Sequence, residues 1–213
     1  MAGTLGVLVA GGEGSRLGLG IPKALVRLGE TTLLERGWRT LMAVCDDVVV
    51  AAPAHLTLPL PAGPGVTGER TPTRVFDPPG IPGPLAGVVA GLQALPYHRA
   101  LVLAVDLPFA TADFLAALLG RLSDHAAVVP EPGRIPQPLA AAYSQGARVA
   151  LAARLGAGER SMIRALESLD DVLRLDDATL AMQPGGLAAL FNVNTYADLM
   201  EAERRLSARE AAR

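Results

Sequence analysis

Short, almost wholly apolar runs alternate along the chain with stretches whose apolar residues recur every three or four positions. The runs at 4–9, 48–51, 74–76, 100–105, 126–130, 138–143 and 172–175 are predicted as strands, because uniformly apolar segments of this length suit a buried, parallel sheet. Helical spacing is predicted over 33–44, where Leu33, Leu34, Trp38, Leu41 and Met42 share one face, and over 85–95. Further helices are expected from an N-cap at Thr111 to about Leu122, over 148–155 and 161–169, and from Thr195 to Leu206. Residues 53–72 are rich in Pro and Gly and read as an irregular excursion, and the charged tail 207–213 is expected to fray. The alternation predicts one α/β domain over 1–213, with a Rossmann-like, doubly wound, mostly parallel sheet and helices on both faces.

In such sheets ligands bind beyond the carboxyl ends of the strands. The sequence places three candidates there: the glycine-rich stretch after the first strand, Asp77 after the third, and Asp106 after the fourth. The topology is therefore expected to bring them together in space.

Composition narrows the chemistry. The single Cys45 excludes an internal disulfide and a cysteine zinc site, and His55, His98 and His125 lack metal-ligand spacing. A net charge of −2 gives no global pull towards nucleic acid or an anionic membrane, so an anion site must be local. No apolar run reaches the ~20 residues of a membrane-spanning helix, and no signal peptide is evident, so a cytoplasmic setting is expected.

The local site is Leu8-Val9-Ala10-Gly11-Gly12-Glu13-Gly14-Ser15-Arg16-Leu17-Gly18, followed by Pro22 and Lys23. Glycine backbones can approach an anion closely, and Arg16 and Lys23 supply fixed charge beside them, so the stretch reads as a phosphate cradle. It is not a Walker A loop, since Lys23 follows Pro22 and precedes Ala24; nor do glycines at 12, 14 and 18 match the dinucleotide fingerprint. A flexible strand-to-helix turn with two solvated cations is the plainer alternative.

Asp106 closes Leu103-Ala104-Val105, and a carboxylate leaving an apolar strand suits Mg²⁺, which takes one or two carboxylates alongside phosphates. A turn-capping role is the alternative for it, and equally for Asp77 before Pro78-Pro79. Gly83-Pro84-Leu85-Ala86-Gly87 offers a second glycine motif at a helix start. In Phe191-Asn192-Val193-Asn194-Thr195 the two amides can face one side of an extended segment and serve a heterocycle or a phosphate, or simply satisfy a turn. Arg160 adds a cation beside another helix start, where a solvated role is the common one.

Ala10-Gly11-Gly12, Ser15-Arg16-Leu17-Gly18 and Pro22-Lys23-Ala24-Leu25 resemble the signature loop of sugar-nucleotide-type nucleotidyltransferases. Taken with Gly83-Pro84-Leu85-Ala86-Gly87, Asp106-Leu107-Pro108 and Asn192-Val193-Asn194-Thr195, the order is similar to that of the molybdenum cofactor guanylyltransferases, from about Gly6 to Leu199. The resemblance implies a nucleotide-diphospho-sugar transferase fold. It implies transfer of GMP from Mg-GTP to molybdenum-bound molybdopterin, with Mg²⁺ as cofactor and molybdopterin-handling or apo-molybdoenzyme proteins as partners. It also implies nucleotide contacts from Ala10, Gly11, Gly12, Lys23, Asp77 and Asp106, with Mg²⁺ on Asp106.

On that reading Gly83, Pro84, Leu85 and Gly87 line the base pocket, Arg16, Lys23 and Asp106 act in catalysis, and Arg160, Asn192 and Asn194 face the acceptor. The chain departs from many relatives at Pro22, where they carry an acid, and at Gln137-Pro138, where they carry His-Pro. Pro22-Lys23 also looks like the cytidylyltransferase branch of isoprenoid synthesis. A transferase using CTP, or a sugar or polyol phosphate, therefore stays open, as does a nucleotide-binding protein without turnover.

Overall fold

In the computed structural model, which describes residues 3–12, 14–60, 73–78, 81 and 83–211, the first predicted strand is β1, Thr4–Val9, buried at every position. The chain continues through β2 (Arg27–Leu28), β3 (Thr31–Thr32), α1 (Leu33–Met42), β4 (Asp47–Ala52), β5 (Thr73–Phe76), α2 (Pro84–Ala94) and β6 (Arg99–Ala104). It then forms α3 (Ala112–Gly120), β7 (Ala127–Pro130), β8 (Ala140–Ser144), α4 (Gln145–Gly156), α5 (Met162–Leu166), β9 (Val172–Leu175), α6 (Asp177–Ala181) and α7 (Tyr196–Ala211). Of the predicted irregular stretch, 53–60 carries no helix or strand, while 61–72, like Glu13 and Pro79, lies outside the described residues.

Seven strands form the main sheet in the order β5-β4-β1-β6-β8-β7-β9. All neighbours are parallel except β8, which runs antiparallel to both β6 and β7. The mostly parallel, doubly wound expectation holds. The direction of β8 was not in it, because a strand buried on both faces has the same apolar pattern in either direction.

The pleat explains the two apolar layers. Leu8 and Ala10 point to the side covered by α1, α3 and α7, with Leu34, Trp38, Phe114 and Leu199. Leu5, Val7 and Val9 point to the other side, with Leu85 and Leu92 of α2 and Leu151 of α4. Local signals fix the helix starts. Thr32 and Glu35 make a reciprocal capping box on α1, and the Thr111 hydroxyl accepts from Phe114 N as the predicted N-cap of α3. No helix among the described residues is long and apolar enough to cross a membrane.

α7 runs to Ala211, past the Leu206 at which the apolar pattern ends it, so 207–211 are helical. Its last turns are held by guanidinium groups over rings. Arg205 lies 4.0 Å from the Phe191 centroid, and Arg209 lies 4.7 Å from that of Phe109.

The chain builds outward from β1 to β4 and β5, then returns to lay β6 on the opposite side of β1. This reversal makes β1/β6 the switch point, and the crevice beyond their carboxyl ends is where such a sheet takes a ligand. Because β8 is reversed, its entry segment at Gln137–Leu139 opens on the same edge.

Candidate active site

The site forms where four parallel strands stop. Ala10 donates its N–H to Ala51 O at 2.8 Å, the last ladder bond, and the chain leaves the sheet at Gly11. Gly14 turns it back with φ +70°, and a Cβ there would stand 2.8 Å from Ile21 O. A side chain at that position is therefore excluded both by backbone conformation and by space. The return leg is tied by Lys23 N–H donating to Gly12 O at 3.1 Å. This places the Lys23 ammonium over the crevice.

There Lys23 Nζ donates to Asp106 Oδ2 at 3.0 Å and to Asn194 Oδ1 at 2.6 Å. Three segments far apart in sequence thus meet at one cation. Val105 N–H donates to Val9 O at 3.1 Å, and Val193 N–H to Asp106 O at 2.9 Å, so the backbone fixes the meeting from below. The side chains are 11% and 19% exposed for Lys23 and Asp106, which leaves the carboxylate open to the cavities on either side.

Those cavities adjoin. The larger, about 910 Å³, is lined by Gly11, Gly12, Pro53, Phe76, Asp77, Gly83, Pro84, Gly87 and Asp106 among others. The smaller, about 370 Å³, is lined by Gln137, Ser161, Met162, Ile163 and Asn192, with Pro84, Ala104, Asp106 and Leu139 shared between the two. Asp106 therefore stands at the boundary of two compartments, each large enough for part of a ligand.

Each compartment holds an acceptor atom without a partner: buried Asp77 Oδ1 in the larger and buried Asn192 Oδ1 in the smaller. Such atoms are costly unless a ligand supplies a donor. Burial pushes the Asp77 carboxyl above the ordinary carboxylate range, and the His55 charge opposes it only in part. Burial thus counts against the charged form, and the stability this costs the fold appears as pH rises through the folded pKa.

Asp77→Asn is expected to raise Tm near neutral pH, because the amide carries no charge for burial to penalise. The gain should shrink towards zero below about pH 4. Thermal melts across pH check this; a gain that persists in acid would contradict the burial argument.

The structure places the other candidates as follows. Gly83, Pro84 and Gly87 line the larger cavity, whereas Leu85 and Ala10 are fully buried in the apolar layers beneath it. Arg16 sits exposed on the glycine loop and lines neither cavity. Arg160 also lines neither. Its guanidinium donates to Leu155 O at 3.2 Å and Glu159 O at 2.8 Å, while the next residues, Ser161 to Ile163, form the wall.

Three contributors were not anticipated. His55, from the irregular stretch after β4, and Phe76, the last residue of β5, line the larger cavity. Asp198 accepts from Asn194 N at 3.0 Å and Thr195 N at 2.7 Å, and so sets the Asn192–Asn194 segment; these bonds hold its carboxyl below the ordinary range. The Thr195-x-x-Asp198 spacing is a capping-box signal from which this could have been found.

Among the described residues no three His, Cys, Asp or Glu side chains converge. The donor set of the larger cavity is instead the carboxylates of Asp77 and Asp106. That set fits a hard divalent cation that takes one or two protein oxygens and completes its shell from phosphate and water.

The glycine loop, the Lys23–Asp106 pair and two adjoining compartments thus meet at the switch point of the sheet, and comparison with known proteins gives the class, a nucleotidyltransferase. Residues 6–172 match the MobA-like NTP transferase domain, and the chain belongs to that family. A probable molybdenum cofactor guanylyltransferase of Natronomonas pharaonis is 33% identical over 203 residues, covering 95% of this chain and 98% of the relative. Another, of Chloroflexus aggregans, is 35% identical over 202 residues, covering 91% and 90%.

Among solved structures, molybdopterin-guanine dinucleotide biosynthesis protein A from Archaeoglobus fulgidus superposes with a TM-score of 0.75 at 24% identity, over 95% of this chain and 98% of that one. The 2-C-methyl-D-erythritol 4-phosphate cytidylyltransferase of Thermus thermophilus gives 0.69 at 20% identity, over 96% and 98%. These two likenesses establish the shared fold.

Proposed function

We propose that this chain transfers GMP from Mg-GTP to the terminal phosphate of molybdenum-bound molybdopterin, giving the guanine dinucleotide cofactor and pyrophosphate. The observation that carries the reading is the Lys23–Asp106–Asn194 junction at the boundary of the two cavities. The relatives' names, guanylyltransferases of the molybdenum cofactor, support a guanylyl donor and a molybdenum-cofactor acceptor.

The nucleotide occupies the larger cavity and the acceptor the smaller. A phosphate oxygen of the acceptor attacks the α-phosphorus, and the bond from that phosphorus to the pyrophosphate oxygen breaks. The attacking oxygen is already anionic, so no protein base is needed, and the work of the chain is positioning and charge neutralisation. Lys23 supplies a fixed cation at the point of transfer. Arg16 adds charge from the loop. Gly11 and Gly12 shape the phosphate wall, with Gly83, Pro84 and Gly87 opposite. Asn192 offers an unpartnered amide oxygen to the acceptor. Arg160 reaches that acceptor only by leaving the Leu155 and Glu159 carbonyls. Mg²⁺, held by Asp106 with Asp77 as a second oxygen donor, would neutralise phosphate charge.

The test is thermal stabilisation by GTP, CTP, ATP and UTP, each with and without Mg²⁺, followed by pyrophosphate release with molybdenum-molybdopterin. GTP at a hundred times its Kd is expected to stabilise by about 2.7 kcal/mol, and only with the metal. Selective stabilisation by CTP would move the base assignment. No stabilisation by any nucleotide would remove the cavity assignment. A transferase using CTP, or a sugar or polyol phosphate, is the second reading, favoured by Gln137 in the wall of the smaller cavity. Membership of a transferase family sets aside the alternative without turnover.

A further inference from the structure

We propose that Glu159 is a positioning residue for this reaction, its carboxylate fastening the segment Ser161–Ile163, a wall of the smaller cavity, against the turn at Gly83. The inference rests on the reading of the smaller cavity as the acceptor compartment. Glu159 itself lines neither cavity and so acts only through what it holds.

The fastening is dense. Glu159 Oε1 accepts the N–H groups of Arg160 and Ser161, each at 2.7 Å. Arg164 donates Nε to Oε2 at 2.8 Å and Nη2 to Oε1 at 2.9 Å, a two-pronged pairing across the first turn of α5. Four donors thus converge on one carboxylate. The Glu159 amide donates to Arg154 O at 3.0 Å, which anchors the group to the last turn of α4.

Without the carboxylate, the Arg160 and Ser161 amides lose their acceptor and the loop loses the bond that sets its direction into α5. Ser161, Met162 and Ile163 are the next residues, and all three line the smaller cavity. On its other side the loop abuts the larger cavity. The Arg160 carbonyl lies against Gly83, where an added Cβ would stand 3.0 Å from Arg160 O. Gly83 and Pro84 line the larger cavity, and Pro84 also lines the smaller. The loop is wedged between the compartments, and one carboxylate fixes it.

Its partners hold the Glu159 carboxyl down to about 2, Arg164 first and then the Ser161 and Arg160 amides. It is therefore charged throughout the working range, and the device is a fixed clamp, insensitive to pH there. The Glu159 side chain is 10% exposed and that of Arg164 67%, so the inner bonds to the amides carry the positioning and the outer pair supports it.

Three variants separate positioning from mere stability. Glu159→Ala is expected to raise the acceptor KM about tenfold or more, with kcat and the KM for GTP within about threefold of wild type. Glu159→Gln keeps a carbonyl oxygen for the two amides and should return the acceptor KM to within about threefold. Arg164→Ala should do the same.

Hydrogen exchange at the Arg160 and Ser161 amides should quicken in Glu159→Ala and stay slow in the other two. An unchanged acceptor KM in Glu159→Ala, or equal rises in both KM values, would overturn the proposal. Where Glu159→Ala does not fold, Glu159→Met, which keeps the volume but offers the two amides no acceptor, takes its place. An acceptor KM unchanged in it would likewise overturn the clamp. Exchange needs no substrate: unaltered protection in Glu159→Ala sinks the clamp, whereas wild-type protein that turns over no molybdopterin sinks the functional reading alone.

Discussion

Lys23→Ala is expected to lower kcat/KM for nucleotidyl transfer by about 10²–10³-fold, the loss found when one preorganised donor is removed from an oxyanion-stabilising site. The expectation follows from where the ammonium is held. Two acceptors from distant segments, Asp106 Oδ2 and Asn194 Oδ1, fix Nζ at the boundary of the cavities, where charge develops on the phosphate being transferred. A cation held by the fold has no reorganisation to undergo at the moment of reaction. Much of the deficit should fall in kcat, and GTP binding should weaken as well, because the same charge meets the bound nucleotide.

Lys23→Arg should not rescue. The guanidinium is a planar fork and cannot copy a compact ammonium aimed at two separate oxygens. The substitution to alanine also leaves Asp106 without its cation, at a cost set by solvent reaching it from both cavities. A loss of about 1 kcal/mol, or roughly 2–4 °C in Tm, is expected and does not threaten folding at room temperature. Steady-state kinetics and a melt on the same preparation check both halves. Activity within threefold of wild type would remove Lys23 from the reaction.

How far such a site could be read before the fold was known depends on what the residues do. Gly11, Gly12, Asp77 and Asp106 were legible because each breaks an apolar pattern at a strand end, where a charge or a run of glycines has no packing reason to stand, and Lys23 because it sets a fixed charge beside those glycines. Asn192 and Asn194 were legible as a pair of amides before a capping threonine. His55 was not, since its segment has neither helical nor strand periodicity, and Phe76 was not, since an aromatic inside a predicted strand has an ordinary packing reason to be there. Leu85 sits inside a glycine motif yet turns into the core. A motif names a stretch of chain, whereas the helix phase decides which of its side chains face the ligand.

The fold shows the same division. Strand runs were readable because their burial is uniform, but the direction of β8 was not, since it leaves no mark on composition. The β2–β3 hairpin, with strands of two residues each, is too short to carry a period. The extension of α7 escaped because its contacts are made by Arg205 and Arg209, residues that a count of apolar positions treats as solvent-facing.

The second large effect is expected at Asp106. Asp106→Asn should reduce metal-dependent turnover by about 10³-fold or more while leaving the fold and the Lys23 contact nearly as they are, because the amide oxygen can still accept from Nζ. What the substitution removes is the negative charge, and with it the reason for a divalent cation to settle between the two cavities. Asp77 alone is a weaker ligand, since its carboxyl is half-buried and burial raises it towards the neutral form.

Two readings of Asp106 then separate. If it holds the cation, GTP will stabilise the Asn variant equally with and without Mg²⁺, and raising the metal concentration will recover part of the activity through weaker binding. If it serves only to orient Lys23, the Asn variant will keep its Mg²⁺-dependent stabilisation and lose little turnover, whereas Asp106→Ala, which has no acceptor for Nζ, will behave like Lys23→Ala. A metal titration of turnover in the two variants, set beside melts with GTP, decides between them. Full Mg²⁺-dependent activity in Asp106→Ala would refute both readings and move the reacting phosphate away from the Lys23 junction.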